Sequence, residues 1–91
     1  MGVRQVTVFG GSGFIGRYIV QRLAKRGLGV RVAVRRPAMA EFLRTMGEVG
    51  QVVPFQANLR NRPSIERAIS GSDGVINAAG IPFERGRQRY R

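Results

Sequence analysis

The chain contains no cysteine, no histidine and no tryptophan. Without cysteine there is no disulfide, no thiol nucleophile and no thiolate metal ligand. Without histidine the commonest general base and the commonest zinc ligand are both missing. No apolar run approaches the ~20 residues that a membrane-spanning helix needs. The acidic residues Glu41, Glu48, Glu66, Asp73 and Glu84 are scattered, so no carboxylate pair is expected to work as an acid and base. The start of the chain lacks the layout of a secretory signal, which makes the cytoplasm the expected location.

Positive charge is what the chain has in excess. Sixteen basic residues stand against five acidic ones, for a net charge of +11, and Lys25 is the sole lysine. Such an excess points to an anionic partner: nucleic acid, acidic lipid, a phosphorylated ligand or an acidic protein. Most arginines are dispersed. They concentrate at Arg35-Arg36 and in the tail at Arg85, Arg87, Arg89 and Arg91. A length of 91 residues allows one domain with a thin core.

Four short apolar segments alternate with helical patterns. Strands are expected at residues 5–9, 30–34, 51–56 and 74–78. The first helix follows the glycines at 10–16 and runs to Arg26, with Ile15, Ile19, Val20 and Leu23 on one face and Gly27 as its stop. The second opens at Arg36-Pro37, with Met39, Phe42, Leu43 and Met46 at helical spacing and Gly47 as its end. The third covers 62–69, with Asn61 as N-cap and Gly71 beyond it. This β-α-β-α-β-α-β order predicts an α/β fold, the N-terminal part of a Rossmann-like doubly wound parallel sheet with strand order 3-2-1-4. Pro54 cannot donate to a ladder, which independently places the third strand at the edge. A complete sheet of this kind continues past the fourth strand, so residues 1–91 are expected to be a truncated dinucleotide-binding domain.

Gly10, Gly13 and Gly16 form a G-x-x-G-x-x-G loop between the first strand and the first helix. The first glycine permits a tight turn. The second lets backbone approach a pyrophosphate, and the third lets helix pack on strand. Free N–H groups and the dipole at the helix start favour phosphate. No Lys-Ser/Thr follows, so this is not a nucleoside-triphosphate loop. After the second strand, Arg35-Arg36 stands where dinucleotide folds read the adenosine ribose. Arginine there suits a 2′-phosphate, whereas NAD-type recognition uses a carboxylate. NADP(H) is therefore the favoured cofactor and NAD(H) the alternative.

VTVFGGSGFIG, the basic pair, ANLRNRPSIERAI and DGVINAAG resemble the N-terminal part of the extended and atypical short-chain dehydrogenase/reductases, which are epimerase/dehydratase-like. Within that group the nearest resemblance is to the nucleotide-binding accessory subunit of respiratory complex I and its bacterial relatives, with GRQRY at 86–90 adding to it. The resemblance implies pyrophosphate contacts around Gly10, Gly11, Ser12, Gly13, Phe14, Ile15 and Gly16. It implies adenine contacts at Asn58-Leu59, where the family has Asp before the hydrophobe, and a ribose-side segment at Asn77, Ala78, Ala79 and Gly80. It implies as partners the rest of a longer chain and complex I subunits, and a peripheral place at the inner membrane. The family's catalytic Tyr-x-x-x-Lys is absent. Tyr18 is followed four residues on by Arg22, and Tyr90 is penultimate. No turnover is expected of this chain alone. Two other functions compete: the cofactor half of an active reductase or epimerase, and a basic nucleic-acid-binding domain. The latter lacks a recognised motif and interleaved exposed aromatics.

Overall fold

Residues 5–9 alternate their side chains across a strand, yet Val6, Thr7, Val8 and Phe9 are all buried. Burial on both faces is the mark of a central parallel strand covered on each side. The computed structural model describes residues 4–10 and 13–78. The elements are β1 (Gln5–Phe9), α1 (Phe14–Lys25), β2 (Gly29–Val34), a 3-10 helix (Pro37–Met46), β3 (Val52–Gln56), α2 (Arg62–Ile69) and β4 (Gly74–Asn77). Gly11, Ser12, Ala79, Gly80 and the arginines of the tail lie outside the described residues.

The strands form one parallel sheet of order β3-β2-β1-β4, as the alternation of elements requires. Val6 stands opposite Val30 on one side and Gly74 on the other. Pro54 lies in β3 opposite Val32, at the sheet edge where its missing N–H costs no ladder bond.

Each face of the sheet has its own core. On one, Val6, Val8, Val30 and Val32 pack against Val20 and Ala24 of α1 and against Ala40 and Leu43. On the other, Phe9 and Ala33 pack with Ala57 and with Ala68 of α2. Gly27 takes φ +83° just past α1, a left-handed conformation that halts the helix without a Cβ clash. Gln51 adds a cap that lies far away in sequence. Its Nε2 donates to Ala24 O at 2.9 Å and Leu28 O at 2.8 Å. Asn61 caps α2 as expected, its Oδ1 accepting from Ser64 N at 2.9 Å.

The second helix departs from expectation. Pro37–Met46 is 3-10 rather than α. Met39 N donates to Arg36 O at 2.9 Å, three residues back, and Thr45 Oγ1 donates to Phe42 O at 2.9 Å. With three residues per turn, every third side chain faces the same way. Ala40, Leu43 and Met46 therefore face the sheet, and Met39 and Phe42 are exposed by 68% and 45%. An α-helical period would have aligned Met39 and Phe42 with Leu43.

Candidate functional site

The C-terminal ends of β1, β2 and β3 open onto a cleft of about 770 Å³. Its floor begins where β1 ends. Gly10 takes φ +79°, which only glycine adopts without strain, and the chain turns at once towards α1. Gly10 N donates to Ala33 O at 3.3 Å, and Gly13 N donates to Gly10 O at 3.2 Å. Gly13 is the N-cap of α1. Among the described residues no side chain caps that helix, and no acidic residue occupies its first turn. The first N–H groups of α1 thus have no side-chain acceptor among the described residues, the arrangement that suits an anion. Gly16 is buried on the inner side of α1.

Basic side chains form the rim. Arg35 and Arg36 leave β2 exposed and line the cleft. A third arginine, Arg60, lines it from the loop between β3 and α2. None of these guanidinium groups makes an ion pair or side-chain hydrogen bond among the described residues, where the one ion pair is Arg44–Glu41. Among the described residues no carboxylate lines the cleft. Three cations on one rim, with no counter-charge among the described residues, form a field that favours an anionic ligand.

Asn58 and Leu59 lie on the same wall. The Asn58 turn is pinned from both sides. Its Oδ1 accepts from Arg60 N at 2.9 Å, and its backbone N donates to Ser64 Oγ at 2.9 Å. Ser64 is buried, so the anchor is fixed by packing.

Other expected site residues are placed elsewhere. The side chains of Phe14 and Ile15 line a separate apolar groove of about 420 Å³ with Tyr18, Gln21 and Met46, while their backbone begins α1. Asn77 ends β4 beside Phe9, and Ala78 N donates to Phe9 O at 2.8 Å. Both sit on the far side of β1 from the cleft, because β4 and β2 flank β1 on opposite sides. Sequence reasoning missed Arg60. A single arginine in a helix-entry loop carries no pattern of its own, and only the fold brings it to Arg35 and Arg36.

Residues 3–88 match the model of the NmrA-like family. The chain belongs to the NmrA-like family. Among curated relatives, NADH dehydrogenase [ubiquinone] 1 alpha subcomplex subunit 9, mitochondrial, of Dictyostelium discoideum is 48% identical over 79 residues, covering 86% of this chain. The NADH-ubiquinone oxidoreductase 40 kDa subunit of Neurospora crassa is 41% identical over 83 residues, covering 91%. The NmrA-like chain spans 22% of the length of each of these relatives. Among solved structures, vestitone reductase from alfalfa superposes with a TM-score of 0.70 at 31% identity, over 80% of this chain and 24% of that one. The Rossmann-like fold and the resemblance to complex I subunits and reductases expected from the motifs are thus borne out. No described helix is long and apolar enough to cross a membrane.

Proposed function

We propose that this NmrA-like chain binds a nicotinamide dinucleotide, NADP(H) in preference to NAD(H). The observation that carries this reading is the cleft rim. Arg35 and Arg36 stand at the end of β2 with no protein counter-ion among the described residues and no carboxylate beside them. A ribose 2′-phosphate is a compact dianion, and arginine meets it with forked, charge-assisted hydrogen bonds. An NAD-type site would instead present a carboxylate to the 2′-OH. The pyrophosphate falls to the turn at Gly10 and the uncapped start of α1, with Gly11 and Ser12 between them. Asn58 and Leu59 take the base. Ala79 and Gly80, together with Asn77 and Ala78, are assigned to the ribose side by the family resemblance alone.

For the whole protein, the reading is the cofactor half of a complex I accessory-subunit-like protein. Its partners are then the remainder of a longer chain and other complex I subunits, at the membrane periphery. The likeness to a reductase supports a second reading, the cofactor half of an active NAD(P)-dependent reductase or epimerase. NADPH oxidation with a panel of carbonyl substrates separates the two. Reproducible oxidation by this chain would favour the reductase.

Calorimetric titration with NADPH and NADH tests the cofactor. Arg35→Asp combined with Arg36→Ser is expected to lose a preference of roughly tenfold or more for NADPH, from contacts worth ~1.5–3 kcal/mol each. Equal affinities in the native chain would reduce the pair to surface charge and move the reading to NAD(H).

A further inference from the structure

The solvent face of α1 mixes rings and cations. Its exposed positions are Phe14, Arg17, Tyr18, Gln21, Arg22 and Lys25. They recur three and four apart, so they form one stripe along the helix, and α1 holds no acidic residue. Phe14 is 82% exposed and Tyr18 56%. Opposite charges three or four residues apart would stabilise such a surface. Here Arg22 turns to a ring instead. Its Nη1 donates to Tyr18 Oη at 2.9 Å, with the guanidinium 5.6 Å from the ring centre. Folding adds a third exposed ring that sequence order keeps apart, since Arg17 lies 5.4 Å from the ring centre of Phe42. Where α1 meets the end of the 3-10 helix, Phe14, Ile15, Tyr18 and Met46 line the apolar groove of about 420 Å³, and Arg17 and Gln21 complete it.

We propose that this face binds single-stranded nucleic acid, with a base seated against Phe14 and Tyr18 and the phosphates following Arg17, Arg22, Lys25 and Arg26 along α1. The face lies outside the dinucleotide cleft, and the proposal is independent of the cofactor reading. Charge decides that the occupant is an anion. A second copy of this chain presents the same cations, and residues 85–91 add four arginines, so both are repelled. The groove decides which anion. Its aromatic side chains match the flat face of a base, which stacks on a ring whatever its identity. A bilayer surface covers apolar groups that protrude and does not reach the half-buried Ile15 and Met46 in a groove. Phe14 and Tyr18 stand about 6 Å apart along the helix axis, at 1.5 Å per residue, a step within the reach of one nucleotide of an unstacked strand. Arg22, Lys25 and Arg26 continue past the groove, and arginine brings the forked donors that suit phosphate.

The test is fluorescence anisotropy of the full chain with a labelled thymidylate strand of about ten nucleotides, within the span of such sites, and with an abasic strand of the same length. At about 0.15 M salt the native chain is expected to bind the base-bearing strand roughly tenfold or more tightly than the abasic one. Phe14→Leu combined with Tyr18→Leu keeps apolar bulk and removes the ring faces. It is expected to erase that ratio, and Tyr18→Phe alone to retain it. Each protein is compared with itself, so a change in overall stability cancels, and the native ratio decides even if a variant folds poorly. Equal binding of the two strands by the native chain makes it a polycation only and overturns the proposal. So does a ratio that the double leucine variant leaves unmoved, or one that saturating NADPH removes, which would put the base in the dinucleotide cleft. Equal binding of the strands together with capture of phosphatidylglycerol vesicles that Phe14→Ala abolishes overturns it in favour of a membrane surface.

Discussion

The guanidinium of Arg31, in β2, donates to Ala68 O of α2 at 2.7 Å. The same Nη1 reaches Ser70 O at 2.9 Å, and the group lies 5.2 Å from the centre of the Phe55 ring. One cation thereby closes the last carbonyls of α2, where the helix dipole favours positive charge, and ties that helix to the sheet. Thr7 supports the same end, its Oγ1 donating to Ala68 O at 2.8 Å while also bonding Ser72 Oγ.

Arg31→Ala is accordingly expected to destabilise the chain by about 1–2 kcal/mol, at the lower side of the range for charged hydrogen bonds because the group is partly exposed. Lysine at this position restores the charge but not the fork, and should recover only part of the loss. Urea midpoints for native, Arg31→Ala and Arg31→Lys measure both. An alanine variant as stable as native would make Arg31 mere surface charge.

Leu43 and Phe42 are neighbours in the 3-10 helix with opposite fates. Leu43 is fully buried against the sheet, and Phe42 is exposed with Arg17 5.4 Å from its ring centre. Leu43→Ala is expected to cost about 2–5 kcal/mol. Phe42→Ala should cost about 1 kcal/mol or less, the value of an exposed cation–π contact. Thermal melts of the two variants discriminate the 3-10 from an α-helical register, since the latter predicts comparable losses.

Asp73 links the starts of β1 and β4. Its Oδ2 accepts from Arg4 N at 2.9 Å and Gln5 N at 3.0 Å, and these backbone N–H groups hold its carboxyl below the usual aspartate value. A folded-state pKa that is depressed favours the folded state above the unfolded pKa, near ~3.9. That contribution is lost as pH falls below about 4 through the lower folded value. Stability measured against pH should show an acid limb that Asp73→Asn makes shallower. An unchanged limb in the variant would assign acid sensitivity to other carboxylates.

Among the described residues β4 pairs with β1 alone, and Val75 is 51% exposed. An open parallel edge with an exposed apolar side chain is a template for pairing with another chain. Sedimentation of this chain is expected to show association that grows with concentration, and Val75→Lys should weaken it. A strictly monomeric native chain would contradict this.

The pattern of residues was enough to fix the sheet. Alternating apolar segments and helix periods dictated β-α-β units, whose right-handed crossovers leave few strand orders, and Pro54 chose the edge by the N–H it lacks. The glycine at position 10 announced its turn because only a residue without Cβ takes that backbone cheaply. These are local properties, written in neighbouring residues. The 3-10 register of Pro37–Met46 was not, because a run with apolar side chains three and four apart fits both periods, and packing of Ala40 and Leu43 on the sheet selected one. Nor were the meeting of Arg60 with Arg35 and Arg36, the Arg31 closure of α2, or the commitment of Asn58 Oδ1 to a turn. Each depends on which atoms long-range folding brings within hydrogen-bond reach, and on which of them are already satisfied when a ligand arrives.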